Sequence, residues 1–144
     1  MTAVHVFTVP VQEFPAALLN ANALRGETRH LGRLAAPWRR LGAQLVTRHG
    51  LPRPFPGPVR IDVEFRFENN RRRDTGNLAP TVKALVDGLV DAGALVDDCD
   101  GLVEGPFPRR TYPNGPRRIR FVITPLHPAD VGREYPHDQK GPLT

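Results

Sequence analysis

Apolar and polar residues alternate most cleanly between Val59 and Glu68. There Val59, Ile61, Val63, Phe65 and Phe67 interleave with Arg60, Asp62, Glu64, Arg66 and Glu68. A period of two predicts a strand with one buried and one wet face. Ile119, Phe121 and Ile123, with Arg118 and Arg120, repeat the pattern and predict another strand. Ala3 to Val9, rich in β-branched residues, predicts a strand near the start of the chain. Leu102 to Tyr112 predicts a short fourth one, broken by Pro106 and Pro108.

Two stretches carry the helical period instead. Leu34, Trp38, Leu41 and Leu45 recur at spacings of four and three, with Arg39, Arg40 and Arg48 off the stripe. Gln12 to His30, with Pro15, Gly26, Asn20 and Asn22, is expected to be irregular, and Pro37 is tolerable only near the start of the helix that follows. Gly50 and Pro52 signal its end, and Leu51 to Pro58 reads as a proline-rich connector. In the second stretch Val82, Leu85, Val86, Leu89 and Val90 form a single apolar face. Pro80 suits its first turn and Gly93 a left-handed cap, giving a helix from near Thr81 to Ala92. The expected class is α+β: a small mixed β-sheet of about four strands packed with two main helices. Residues 1–125 form one domain, and 126–144, proline-rich and aperiodic, a flexible tail.

Composition narrows the setting. A chain of 144 residues suits one domain. Cys99 is the single cysteine, which rules out an intrachain disulfide and fits a reducing compartment. No signal peptide is evident, and no apolar run approaches the roughly 20 residues of a membrane span, so a cytoplasmic protein is expected. The net charge is +5, and of 20 basic residues only Lys83 and Lys140 are lysines. Such a balance favours a polyanionic partner, because binding releases counterions from phosphates. GC-rich codon usage would explain arginine over lysine but not the clustering.

The chemistry concentrates in Arg71 to Asp100, RRRDTGNLAPTVKALVDGLVDAGALVDDCD. A helix of about twelve residues is roughly 18 Å long, and the five residues after Gly93 cover roughly 17 Å if extended. If the chain doubles back, Asp97 and Asp98 return to the level of Asp74. Clustered carboxylates repel one another, but become favourable around a hard cation that takes oxygen ligands. Set against this, Asp-Asp is an ordinary solvated turn, Asp74 with Asn77 a helix-start cap, and Arg71 to Arg73 a charged hairpin end. Lys83 and Asp87, four apart, make a surface pair. The five histidines show no ligand spacing, Cys99 sits among acids that disfavour its thiolate, and no phosphate-cradling glycine loop appears.

The same segment resembles the signature of the RusA family of Holliday junction resolvases, small dimeric Mg²⁺-dependent endonucleases. Asp74, Asn77, Leu78, Lys83, Asp87, Leu89, Gly93, Asp97 and Asp98 match the family order over about 30 residues. The resemblance implies a RusA-like fold and a homodimer that cuts Holliday junctions or other branched DNA. It implies Asp74 and Asp98, with Asp97, as ligands of Mg²⁺ (or Mn²⁺), and Lys83 as a stabiliser of charge on the scissile phosphate. Arg71, Arg72, Arg73, Asn20, Asn22, Arg39, Arg40 and Asn77 are the expected DNA contacts. This chain departs from the pattern at Gly76, where the family carries a second aspartate, and in a spacing from Asn77 to Lys83 three residues longer. Asp87, Asp97 or Asp100 is then needed to supply the missing carboxylate. Otherwise the chain binds branched DNA without cutting it, or is an interaction protein whose charges are merely solvated.

Overall fold

The computed structural model describes residues 3–21, 28–96 and 102–131, and of residues 28–31 the backbone alone. In chain order they form β1 (His5–Pro10), α1 (Thr28–Arg48), β2 (Val59–Arg66), α2 (Ala79–Asp91), β3 (Val103–Arg110) and β4 (Arg118–Pro125). The four strands make one mixed sheet in the order β1-β4-β2-β3. β4 pairs antiparallel with both β1 and β2, whereas β2 and β3 are parallel. The class is α+β, as the periodicity predicts.

The sheet buries the apolar set of each alternating strand. Val59, Ile61, Val63, Phe65 and Phe67 of β2 and its extension join Ile119, Phe121 and Ile123 of β4, and Phe7 and Val9 of β1, in one core with the helices. From α1 come Trp38, Leu41, Leu45 and Val46, and from α2 Val82, Leu85, Val86 and Leu89. On the opposite face the interleaved charges pair with each other. Asp62 accepts from Arg109 (2.7 Å) and Arg60 (3.1 Å), and Glu64 accepts from Arg120 (2.6 Å). The Arg60 guanidinium also lies 4.5 Å from the Phe107 ring centre. An open sheet face is thereby covered by its own ion pairs.

Two expectations need correction. α1 begins at Thr28, and Pro37 lies inside it. The missing Pro37 N–H costs one helical bond; the buried side chains of α1, Trp38, Leu41, Leu45 and Val46, all follow it, whereas Leu34 before it is exposed. β3 is a continuous strand through Pro106 and Pro108. It is an edge strand, one side of which needs no donors, and its register with β2 shifts between Arg60 and Asp62, which accommodates the extra residue. Past β4, Leu126 N–H bonds the Pro58 carbonyl (2.8 Å), and a 3₁₀ turn covers Pro128–Asp130. Residues 132–144 lie outside the described part. No helix among the described residues is long and apolar enough to cross a membrane.

α1 and α2 meet at glycines. A Cβ on Gly88 would fall 2.1 Å from the Arg39 carbonyl oxygen and 2.8 Å from Gly42 Cα, and one on Gly42 would fall 2.2 Å from the Leu85 carbonyl oxygen. The backbones touch, so neither side can yield by a rotamer change. Arg39 closes the contact at its rim with a two-point bond to Asp91 (2.5 and 2.8 Å). Gly88→Ala should therefore cost about 3 kcal/mol, the upper end of overpacking penalties. Gly57→Ala, with open space around it, should stay within about 0.5 kcal/mol of wild type. Urea unfolding midpoints of the two variants measure the difference.

Candidate nucleic-acid interface

The termini of four strands collect at one end of the sheet. Parallel pairing puts the end of β3 beside the end of β2, and antiparallel pairing adds the start of β4 and the end of β1. After β2 the chain continues through Phe67, the polar residues 68–73, and a 3₁₀ turn at Thr75–Leu78 that feeds directly into α2. Asp74 starts that turn: its Oδ1 accepts from Gly76 N–H (2.9 Å), and its carbonyl accepts from Asn77 N–H (3.0 Å). The capping role open to Asp74 from sequence is thus real, with Gly76 rather than Asn77 giving the side-chain bond.

A second segment is laid across this turn. The Trp38 indole N–H donates to the Ala17 carbonyl (3.1 Å), and Phe14 packs edge-on against the same ring. Thr81, the one buried polar side chain of the described core, bonds Leu19 twice: its hydroxyl accepts from Leu19 N–H (2.8 Å) and donates to the Leu19 carbonyl (3.1 Å). Ala21 N–H then reaches the Asn77 carbonyl (3.1 Å). These bonds hold Asn20 against the turn. The result is a cleft of about 380 Å³ lined by Leu18, Asn20, Phe67, Arg71–Arg73, Asp74, Asn77 and Arg117, among others.

Arginines dominate the cleft, and its aromatic floor positions them. The guanidinium carbons of Arg73, Arg117 and Arg110 lie 4.1, 5.0 and 5.4 Å from the Phe67 ring centre. Arg73 also donates to the Asn69 side chain and the Arg71 carbonyl (both 3.2 Å). Arg110 donates to the Arg71 and Asn69 carbonyls (2.8 and 2.7 Å). Burial together with the neighbouring Arg110 and Arg117 holds the Arg73 pKa below the usual arginine value. The acid nearest these cations is Glu68, gripped by Arg117 at 2.8 and 3.3 Å and 3.8 Å from Arg73. That bond from Arg117 keeps the Glu68 carboxyl below the ordinary glutamate range. Guanidiniums gathered over one ring, with Glu68 and Asp74 nearby, carry the kind of donors that phosphate oxygens accept from.

Of the sequence-predicted contacts, Asn20, Arg71, Arg72, Arg73, Asp74 and Asn77 line this cleft. Arg39 and Arg40 do not: Arg39 is the helix clasp to Asp91, and Arg40 lines a separate hollow with Glu13, Pro37 and Arg48. Lys83 does not line the cleft either. It is exposed, 3.3 Å from Asp87, and borders an apolar groove with Pro80, Val86 and Pro106. At 100° per residue Lys83 sits about 200° around the helix from Thr81, which points to Leu19 and the cleft. Asn22, Asp97, Asp98 and Asp100 lie outside the described residues. The nearest described anchors of the 97–101 segment are Ala94, whose carbonyl accepts from Phe55, and Leu102, whose carbonyl accepts from Val59. Both sit at the start of β2, whereas Asp74 follows its end. No group of three metal-ligating side chains occurs among the described residues. Sequence reading missed Arg110 and Arg117, whose approach depends on strand pairing.

Compared with known proteins, the chain matches no family model and no curated protein sequence.

Two tests follow from this geometry. Thr81→Val should leave the buried Leu19 N–H and C=O without their partner, at a cost of about 1–3 kcal/mol. Chemical denaturation measures the loss, and amide exchange at Leu19 should accelerate. Because the folded pKa of Glu68 is depressed, its pairing with Arg117 contributes at neutral pH. The contribution starts to fade below the ordinary value of about 4.3 and is lost as pH falls through the depressed one. NMR titration should find Glu68 below the ordinary range in wild type and back within it in Arg117→Ala.

Proposed function

We propose that this chain is a RusA-like, Mg²⁺-dependent endodeoxyribonuclease that acts as a homodimer on branched DNA such as Holliday junctions. One observation carries the reading: Asn20, the basic run Arg71–Arg73, Asp74 and Asn77 converge from separate segments into a single cleft, with Arg117 added from the start of β4. Of these, Asp74 is a residue that the family resemblance assigns to metal, and Asn20, Arg71–Arg73 and Asn77 are expected DNA contacts; Lys83 stands outside the cleft, and Asp97 and Asp98 lie outside the described residues. In this reading Arg71, Arg72, Arg73 and Arg117 hold the backbone phosphates, and each phosphate neutralised adds roughly 0.9 to the slope of log affinity against log salt. Asn20 and Asn77 offer amide contacts on either side. A dimer would present two such clefts, related by the two-fold axis of a junction.

The donor set suits Mg²⁺ in part. The Asp74 carboxylate spends Oδ1 on the Gly76 N–H, which fixes its orientation and leaves Oδ2 for a cation. Mg²⁺ commonly takes one or two protein carboxylates and fills its remaining sites with water and phosphate oxygens. Once bound, it supplies an acidified water and counter-charge for the transition state of phosphodiester hydrolysis. Position 76 adjoins this carboxylate: a Cβ there would lie 3.2 Å from Asp74 Oδ1.

A second reading, a branched-DNA-binding protein that does not cut, is favoured by Gly76 and by the anchoring of Ala94 and Leu102 at the far end of β2. A labelled four-way junction with Mg²⁺ or Mn²⁺ separates the two. Under the nuclease reading wild type yields paired symmetric nicks, which Asp74→Asn reduces at least about 100-fold. Under the second reading wild type binds the junction without product, and Gly76→Asp, by adding the neighbouring carboxylate, brings in metal-dependent nicking. Equal weak binding of junction and linear duplex in EDTA would overturn both.

A further inference from the structure

Tyr112 is the most exposed aromatic ring among the described residues, at 65%, and it stands beside the arginine cleft. The Arg110 guanidinium carbon lies 4.9 Å from its ring centre and 5.4 Å from that of Phe67. Phe67, Arg110 and Tyr112 therefore form a short stack that starts at the cleft wall and ends at solvent. Its middle member is fixed, because Arg110 spends both terminal nitrogens on the Arg71 and Asn69 carbonyls. So employed, Arg110 serves as a shelf rather than a phosphate ligand. It ties the Tyr112 ring to the basic run whose other arginines face the cleft.

We propose that Tyr112 is a stacking platform for an unpaired DNA base, whose own phosphate or a neighbouring one is held in the Arg73–Arg117 cleft. The stack has one open end, and the surface that continues it is planar and π-bearing. A nucleobase beside a phosphate site meets both requirements. A rigid ring on a pinned guanidinium also loses little conformational freedom on binding. Bases inside a duplex have both faces covered, so the platform accepts a base only where stacking is interrupted: a single strand, a strand end or a branch point. The inference rests on the DNA-binding reading of the cleft and deepens it, by giving the protein a physical means to prefer branched over continuous duplex.

The test uses the full chain in EDTA, so that binding is read without cleavage. Probes are a short single strand with a 2-aminopurine, a four-way junction with 2-aminopurine at the crossover, and a linear duplex. Wild type and Tyr112→Trp should quench the 2-aminopurine, and Tyr112→Ala should not. Tyr112→Ala should weaken single-strand and junction binding about tenfold, the usual effect of removing one base–aromatic stack, and leave duplex binding unchanged. Arg117→Ala should weaken all three. If Arg117→Ala weakens binding but Tyr112→Ala does not, or weakens duplex equally, the platform is wrong and the phosphate cleft stands. If wild type binds none of the probes, both fall. A change in sedimentation of Tyr112→Ala with unaltered DNA binding would make the ring a protein contact and overturn the proposal.

Discussion

Parallel pairing of β2 with β3 is the constraint on which the rest of the molecule depends. Two parallel neighbours cannot be joined by a tight turn, so the chain must return to the starting end of β2 before β3 begins. α2 makes that return, and its packing on α1 through Gly42 and Gly88 is close enough to require backbone contact. The direction of α2 then fixes everything around it. Asp74 and the basic run stand where α2 starts, beside the ends of β2 and β3 and the start of β4. Ala94 and Leu102 stand where it finishes, bonded to Phe55 and Val59.

The arginines divide into two populations by the same geometry. Those on the open face of the sheet, Arg60, Arg109 and Arg120, face Asp62 and Glu64 within a strand spacing and are neutralised there. Their net contribution to attracting a polyanion is small. At the strand ends Arg73 and Arg117 share Glu68, and with Arg110 they lie over the Phe67 ring. A cluster of arginines therefore stands at one end of the sheet, although arginine is spread along the whole chain.

The cleft is assembled by hydrogen bonds that would otherwise belong to secondary structure. Thr81, inside a helix, turns its hydroxyl to the backbone of Leu19. Trp38, the largest core side chain, gives its indole N–H to Ala17. These three bonds satisfy backbone groups of a segment that has no sheet partner, and so let an irregular stretch lie over the core with those polar atoms paired. Asp74 likewise serves two ends. Its capping bond starts the turn into α2, and that bond orients the carboxylate at the cleft.

Local pattern sufficed for much of this. The two-residue period of Val59 to Glu68 and of Arg118 to Ile123, the apolar face of α2, and the left-handed cap at Gly93 (φ +88°) each follow from interactions between near neighbours. Asp74 as a cap and Lys83 with Asp87 were legible for the same reason. Arg71–Arg73, Asp74 and Asn77 are neighbours in the chain, but only the packing of Trp38 and Thr81 brings Asn20 to them. What the sequence left undetermined was non-local: that α1 runs through Pro37, that β3 survives its prolines on an edge, and that Arg39 is bound to Asp91. It also left open that Arg110 and Arg117 reach Phe67 from the two strands that flank β2. Periodicity reports which face of an element is buried. It carries no information on which strand lies beside which, or in which direction, and those choices decide which charges meet.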